Sequence, residues 1–190
     1  MNDQPKSAYF LAPQSDISEQ HTLSILVDNE PGVLARVIGL FSARGFNIDS
    51  LTVSEVSHER HVSRITIVTS GTPAIIEQIK SQLERLVPVH RVTDLTAEFG
   101  ELGKIERELA LIKVQGTGEM RVEALRLAQA FDAHTVDATL ESFVFELTGR
   151  TREIDRFIDL MRSVGLVEVA RTGVAAVGRG AEGMRARNGS

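Results

Sequence analysis

Two tandem ferredoxin-like βαββαβ units, an α+β fold with helices on one side of each antiparallel sheet, are predicted for this 190-residue chain. Three observations predict them. Segments with the two-residue period of strands and the 3.6-residue period of helices follow one another in the order βαββαβ. The same order recurs, more weakly, after a polar, glycine-bearing stretch beginning at Glu98. Hydrophobic residues make up 42% of the chain against 25% charged, enough for two small packed cores.

Residues 1–20 are polar, proline-punctuated and aperiodic, and are expected to form a flexible extension. The first domain, 21–97, opens on a strand over 21–28, where Thr22 to Val27 alternate polar and apolar. A helix over 32–44 places Val33, Leu34, Val37, Ile38 and Phe41 on one face, with Pro31 expected in its first turn and Gly45 ending it. A strand from Asn47 to about Val56 follows, then a polar link and a strand from Val62 to Thr69. Gly71-Thr72-Pro73 starts a second helix carrying Ile75, Ile76, Ile79, Leu83 and Leu86, which Pro88 breaks before a strand from Val89 to Ala97. Residues 98–106 read as a linker. The second domain, 107–177, repeats the pattern: a strand over 109–115, a Gly116-Thr117-Gly118 turn, and a helix over 119–132 burying Met120, Ala124, Leu127, Ala128 and Phe131. Strands near 134–140 and 143–148 come next, then a helix with Ile154, Phe157, Ile158 and Met161 on one face, and a strand from Leu166 to Thr172. Residues 178–190, rich in Gly, Ala and Arg, are expected to be a flexible tail. Open sheet edges predict a homodimer with first domains side by side.

Composition removes several functions. The chain lacks cysteine, which excludes disulfides, Cys-ligated zinc and thiol catalysis. A net charge of -5, with aromatics at 5%, argues against a nucleic-acid partner. No run of about 18 apolar residues exists to span a membrane. The start shows no basic segment leading into an apolar one, so no secretory signal is expected and a cytoplasmic location is.

The segment carrying chemistry is Asp28-Asn29-Glu30-Pro31-Gly32-Val33-Leu34, a turn between strand and helix. Gly32 leaves the backbone bare, and the N–H groups of Gly32, Val33 and Leu34 at a helix start suit a carboxylate or phosphate. Asn29 and Asn47 offer amides able to accept from an ammonium group, and Ile48 and Leu51 could line an aliphatic pocket beside Leu34 and Val37. That set suits a free amino acid with a small apolar side chain. The same asparagines equally suit plain turn and strand-start roles. His58, His61, His90 and His134 lack metal-ligand spacing, so no metal site is expected. Gly116-x-Gly118 lacks the other residues of a nucleotide loop. Asp49, Glu55, Asp94, Asp132, Asp137 and Glu141 lie near strand ends without a nucleophile, and no catalytic centre is predicted.

The string from Asn29 to Val53, with Asn29-Glu30-Pro31-Gly32-Val33-Leu34, Arg36 to Ser42 and Arg44 to Val53, resembles the first, ACT domain of the acetolactate synthase small regulatory subunit. Ile79-x-x-Gln82-Leu83-x-x-Leu86-Val87, Val92-x-Asp94-Leu95, Glu106 to Val114 and Glu168 to Val174 extend the resemblance over about residues 21–180. It implies a subunit with no catalytic site or cofactor of its own. Its partner would be a large catalytic subunit that condenses pyruvate with pyruvate or 2-ketobutyrate, using thiamine diphosphate, Mg2+ and FAD, toward valine, leucine and isoleucine. The resemblance further implies activation of that subunit and feedback inhibition by valine. Valine contacts would be Asn29, Gly32, Val33 and Leu34 of one chain with Asn47 and Ile48 supplied by the other chain of a homodimer. Thr172 stands where many relatives carry Ser. The rival expectation is a free-standing ACT-domain amino-acid sensor acting on another enzyme or a transcription factor.

Overall fold

The computed structural model describes residues 18–184, so the expected extension through residue 17 and the tail from residue 185 lie outside the described residues. The first half runs β1 (Glu19–Asp28), α1 (Val33–Arg44), β2 (Ser50–Ser57), β3 (Val62–Gly71), α2 (Pro73–Leu83) and β4 (Val89–Asp94). Its strands form an antiparallel sheet in the order β2-β3-β1-β4. Strand alternation turns Leu23, Ile25 and Val27 of β1 and Ile65 and Ile67 of β3 toward the helices. Val33, Val37 and Phe41 of α1 and Ile76, Ile79 and Leu83 of α2 close that core. Gly45 ends α1 with φ 68°, a left-handed conformation that costs glycine nothing.

The second half repeats the arrangement with β5 (Lys104–Gln115), α4 (Gly118–Ala130), β6 (His134–Ala138), β7 (Ser142–Gly149), α5 (Thr151–Arg162) and β8 (Leu166–Arg171). The strand order is β6-β7-β5-β8. Ala110, Ile112, Val114, Phe143, Phe145 and Leu147 pack against Ala124 and Ala128 of α4 and Ile154, Phe157, Ile158 and Met161 of α5. Phe157 meets Phe145 edge-on, with ring centroids 6.3 Å apart. Met120, expected in this core, is 52% exposed and lies outside the buried cluster.

The region that joins the two halves departs from the sequence reading. The strand expected to reach Ala97 stops at Asp94, whose Oδ1 accepts from the N–H groups of Thr96 and Ala97, both at 3.0 Å, and caps a helix. That helix, α3 (Leu95–Gly103), occupies most of the expected linker, and β5 takes the remainder from Lys104; Gly100, at φ 64° and ψ -177°, breaks the helix. A ninth strand, β9 (Ala175–Gly178), pairs antiparallel with Lys104 to Arg107, so the start of the expected tail is held in a sheet. Finally, α3 and β9 cover part of the first sheet's far face: Val68, Leu95, Val174 and Ala176, with Phe99, form a separate apolar cluster there. The Val174 N–H also donates to Ser50 Oγ at 2.9 Å, fastening the C-terminal segment to β2.

An ion pair with a buried carboxylate and a partly exposed guanidinium fixes the second sheet. Arg171 of β8 grips the Glu108 carboxylate through both Nε and Nη2, at 2.7 and 2.8 Å, and reaches Asp155 of α5 at 2.7 Å. The Glu108 hydrogen bond, reinforced by Asp155 against the effect of burial, pushes the guanidinium above its already high range, so Arg171 stays charged. Glu108→Ala leaves that cation with only the exposed Asp155. Breaking a buried pair costs about 3–5 kcal/mol, and the low end applies because the Arg171 side chain remains 31% exposed. The expected loss of about 3 kcal/mol corresponds to a melting temperature roughly 6–12 °C lower, read by circular dichroism.

Candidate ligand-binding turn

The turn after β1 is held from both sides. The Asn29 N–H donates to the His61 carbonyl at 2.6 Å, and the Asp28 carboxylate meets His90 Nε2 at 2.7 Å. Gly32 is the cap residue of α1, at φ 86° and ψ -8°, and no side chain among the described residues caps the helix. Pro31 therefore sits in the turn ahead of the helix and not in its first turn, because the chain needs a left-handed residue next. Among the described residues, a Cβ at Gly32 would meet nothing within 4 Å, so the turn is open on that side. Of the three N–H groups expected to be free, that of Val33 makes a long bond of 3.4 Å to the Glu30 carbonyl. Those of Gly32 and Leu34 have no backbone partner among the described residues. Asn29, Gly32 and Leu34 are exposed, while Val33 is buried and anchors the turn in the core.

Asn47 and Ile48 lie elsewhere. They follow Gly45, at the far end of α1, and the twelve residues of that helix span about 18 Å at 1.5 Å per residue. Within one chain the structure therefore keeps them apart from Asn29 and Gly32. Of the four residues expected to line an aliphatic pocket, Val37, Ile48 and Leu51 pack into or against the first core, whereas Leu34 is exposed at the surface. Asn47 precedes β2 instead of beginning it. Its carbonyl accepts from Thr69 Oγ1 at 2.6 Å, and its amide nitrogen donates to Asp49. Asp49 is in turn held by Ser70 Oγ at 2.9 Å and by Gln20. The amide oxygen of Asn47 is thus oriented and left open among the described residues, a support that sequence spacing did not reveal.

The remaining polar residues are distributed. His58 and His61 face each other across the β2–β3 turn, ring centroids 6.1 Å apart, and His58 meets Glu55 at 3.2 Å. His21 Nδ1 meets Asp94 Oδ2 at 2.7 Å in a buried pair that supports the cap of α3. No cluster of three or more potential metal ligands occurs among the described residues. No helix among them is long and apolar enough to cross a membrane.

Comparison with known proteins assigns both halves. The family described as AHAS small subunit-like ACT domain matches residues 23–91, and the family described as small subunit of acetolactate synthase matches residues 107–180. The chain belongs to the acetolactate synthase small-subunit family. A probable acetolactate synthase small subunit from Archaeoglobus fulgidus is 45% identical over 161 residues, covering 85% of this chain and 98% of its own length. The acetolactate synthase isozyme 3 small subunit of Escherichia coli is 43% identical, over 86% of this chain and 98% of its own. The crystal structure of the acetolactate synthase small subunit from Thermotoga maritima superposes with a TM-score of 0.77 at 38% identity, covering 86% of this chain and 99% of that one. The two tandem α+β units are therefore the architecture of acetolactate synthase small subunits.

Proposed function

We propose that this chain activates a thiamine-diphosphate-dependent acetolactate synthase large subunit and confers feedback inhibition by valine on branched-chain amino acid biosynthesis. The observation that carries the reading is the uncapped, open start of α1 at Gly32, in a chain whose family is that of the small subunit. Free N–H groups there favour the valine carboxylate. Asn29 stands beside them for the ammonium, and the exposed Leu34 offers contact to an isopropyl group. Because α1 separates the two halves of the site, Asn47 and Ile48 of the partner subunit complete it, which makes valine a bridge across a homodimer. The exposed β2 edge, with Val53 and Val56 each more than 40% accessible, gives that dimer apolar surface to bury. Thiamine diphosphate, Mg2+ and FAD belong to the catalytic partner, and the reaction of the transferase holoenzyme takes place there.

A bridging ligand regulates only if it binds one dimer arrangement better than another. Coupling of about 1–3 kcal/mol, or roughly 5–150-fold in affinity, is the usual range. Mixing the chain with a purified large subunit is expected to raise acetolactate output, and valine is expected to reverse the rise. No complex and no change in output would overturn the proposal in favour of a free-standing sensor.

A further inference from the structure

The far face of the first sheet carries an arrangement that the valine turn does not use. Strand register places Arg64 of β3 and Arg91 of β4 on either side of Leu26, and Thr66 and Thr93 on either side of Ser24. Ser24 and Thr93 are 0% and 3% exposed, yet among the described residues neither hydroxyl has a hydrogen-bond partner, and neither does the buried Nε of Arg64. Among the described residues, neither Arg64 nor Arg91 makes an ion pair. These four side chains line a single cavity of about 130 Å³, far above the ~10–15 Å³ that one water needs. Buried polar atoms in native proteins are overwhelmingly satisfied, so three orphans around one cavity point to a missing partner.

The lining states what that partner is. Two guanidinium groups and two hydroxyls all donate, and together they call for an anion. Glu98 and Glu182 line the same cavity from exposed positions and balance the two arginines, so a highly charged polyphosphate gains nothing from the local field. The remaining wall is apolar: Leu95 and Phe99 from α3, and Ala176 and Val177 from β9. We infer that the cavity between the first sheet and the α3–β9 cover is a second ligand site, taking a small aliphatic monocarboxylate with its carboxylate on Arg64, Ser24 and Thr93 and its hydrocarbon tail under β9. It lies on the opposite face of the sheet from α1 and is formed within one chain. Because β9 and α3 form its roof, an occupant ties the C-terminal strand to the first domain.

Isobutyrate, which lacks the ammonium group that the valine turn would need, is the probe. Titrated calorimetrically into the full chain, it is expected to bind saturably, and its methyl protons to show nuclear Overhauser contacts to the methyls of Ala176 and Val177. Arg64→Met and Thr93→Val are each expected to weaken binding about tenfold or more, the loss of a hydrogen bond to a charged group. Thr93→Val removes one hydroxyl at constant volume and decides the matter should Arg64→Met fail to fold. The neutral isobutyramide is expected not to compete. Absence of saturable binding, full affinity in a folded Thr93→Val chain, contacts to Val33 and Leu34 in place of Ala176 and Val177, or displacement by inorganic phosphate as effective as by propionate would each overturn the inference.

Discussion

Gly165→Ala is expected to unfold the second half of the chain or to lower its stability by more than about 4 kcal/mol, a loss reserved for severe defects. Gly165 joins α5 to β8 at φ 99°, and a Cβ there would stand 2.0 Å from the Gln115 carbonyl oxygen. That contact is far inside any allowed separation, and the obstacle is backbone, so no rotamer relieves it. The two residues are also joined by the Gln115 N–H, which donates to the Gly165 carbonyl at 2.8 Å. Relief must part the end of β5 from the start of β8, where the pairing already shifts register between Lys113 and Val114. Gly118→Ala is the control: Gly118 is left-handed too, at φ 60°, but nothing among the described residues lies within 4 Å of its added Cβ. It is expected to cost only the roughly 1–2 kcal/mol of left-handed strain. Chemical denaturation of both variants separates clash from strain, and equal losses would remove the clash argument.

What the sequence disclosed about this molecule follows the range of the interactions. β1, α1, β3 and α5 were legible because each has its own periodicity, and their buried faces hold the residues that the periods picked out, such as Ile154, Phe157, Ile158 and Met161. α3 was missed because Val92-Thr93-Asp94-Leu95 continues the alternation of β4, which hides the change of structure. Its signal was nonetheless present in Asp94 as a cap with Glu98 in the first turn. β9 had no local signal at all. Ala175-Ala176-Val177-Gly178 is short and small, and it becomes a strand only because Lys104 to Arg107, some seventy residues earlier, offers it an edge. Long-range pairing also hid the support of Asn47, which depends on Asp49 being held by Ser70 and Gln20 from two other strands. The arginine and hydroxyl rows on the far face likewise exist only in the register of three strands. The Gly32 turn was readable because a strand end, a proline and a glycine before an apolar helix are neighbours in sequence.

Gly32→Asp is expected to abolish valine inhibition while the large subunit remains activated. The backbone tolerates the change comparatively well: aspartate is among the few side chains that visit left-handed angles, and the Cβ enters open space. What changes is the charge. A fixed carboxylate at the cap takes the helix-start N–H groups for itself, as aspartate caps do. It also repels the free carboxylate that the proposed site would hold at the same groups. Losing two hydrogen bonds to a charged ligand at about 1.5–3 kcal/mol each lowers valine affinity by roughly two orders of magnitude or more. Gly32→Ala separates the causes, because it brings the same backbone strain without the anion and should leave a substantial part of the inhibition. The measurement is acetolactate output of the reconstituted holoenzyme against valine concentration. If Gly32→Asp stayed as valine-sensitive as the unaltered chain, the effector carboxylate could not lie at the start of α1. If alanine and aspartate lost inhibition equally, the turn's shape and not its anion-binding N–H groups would govern the response.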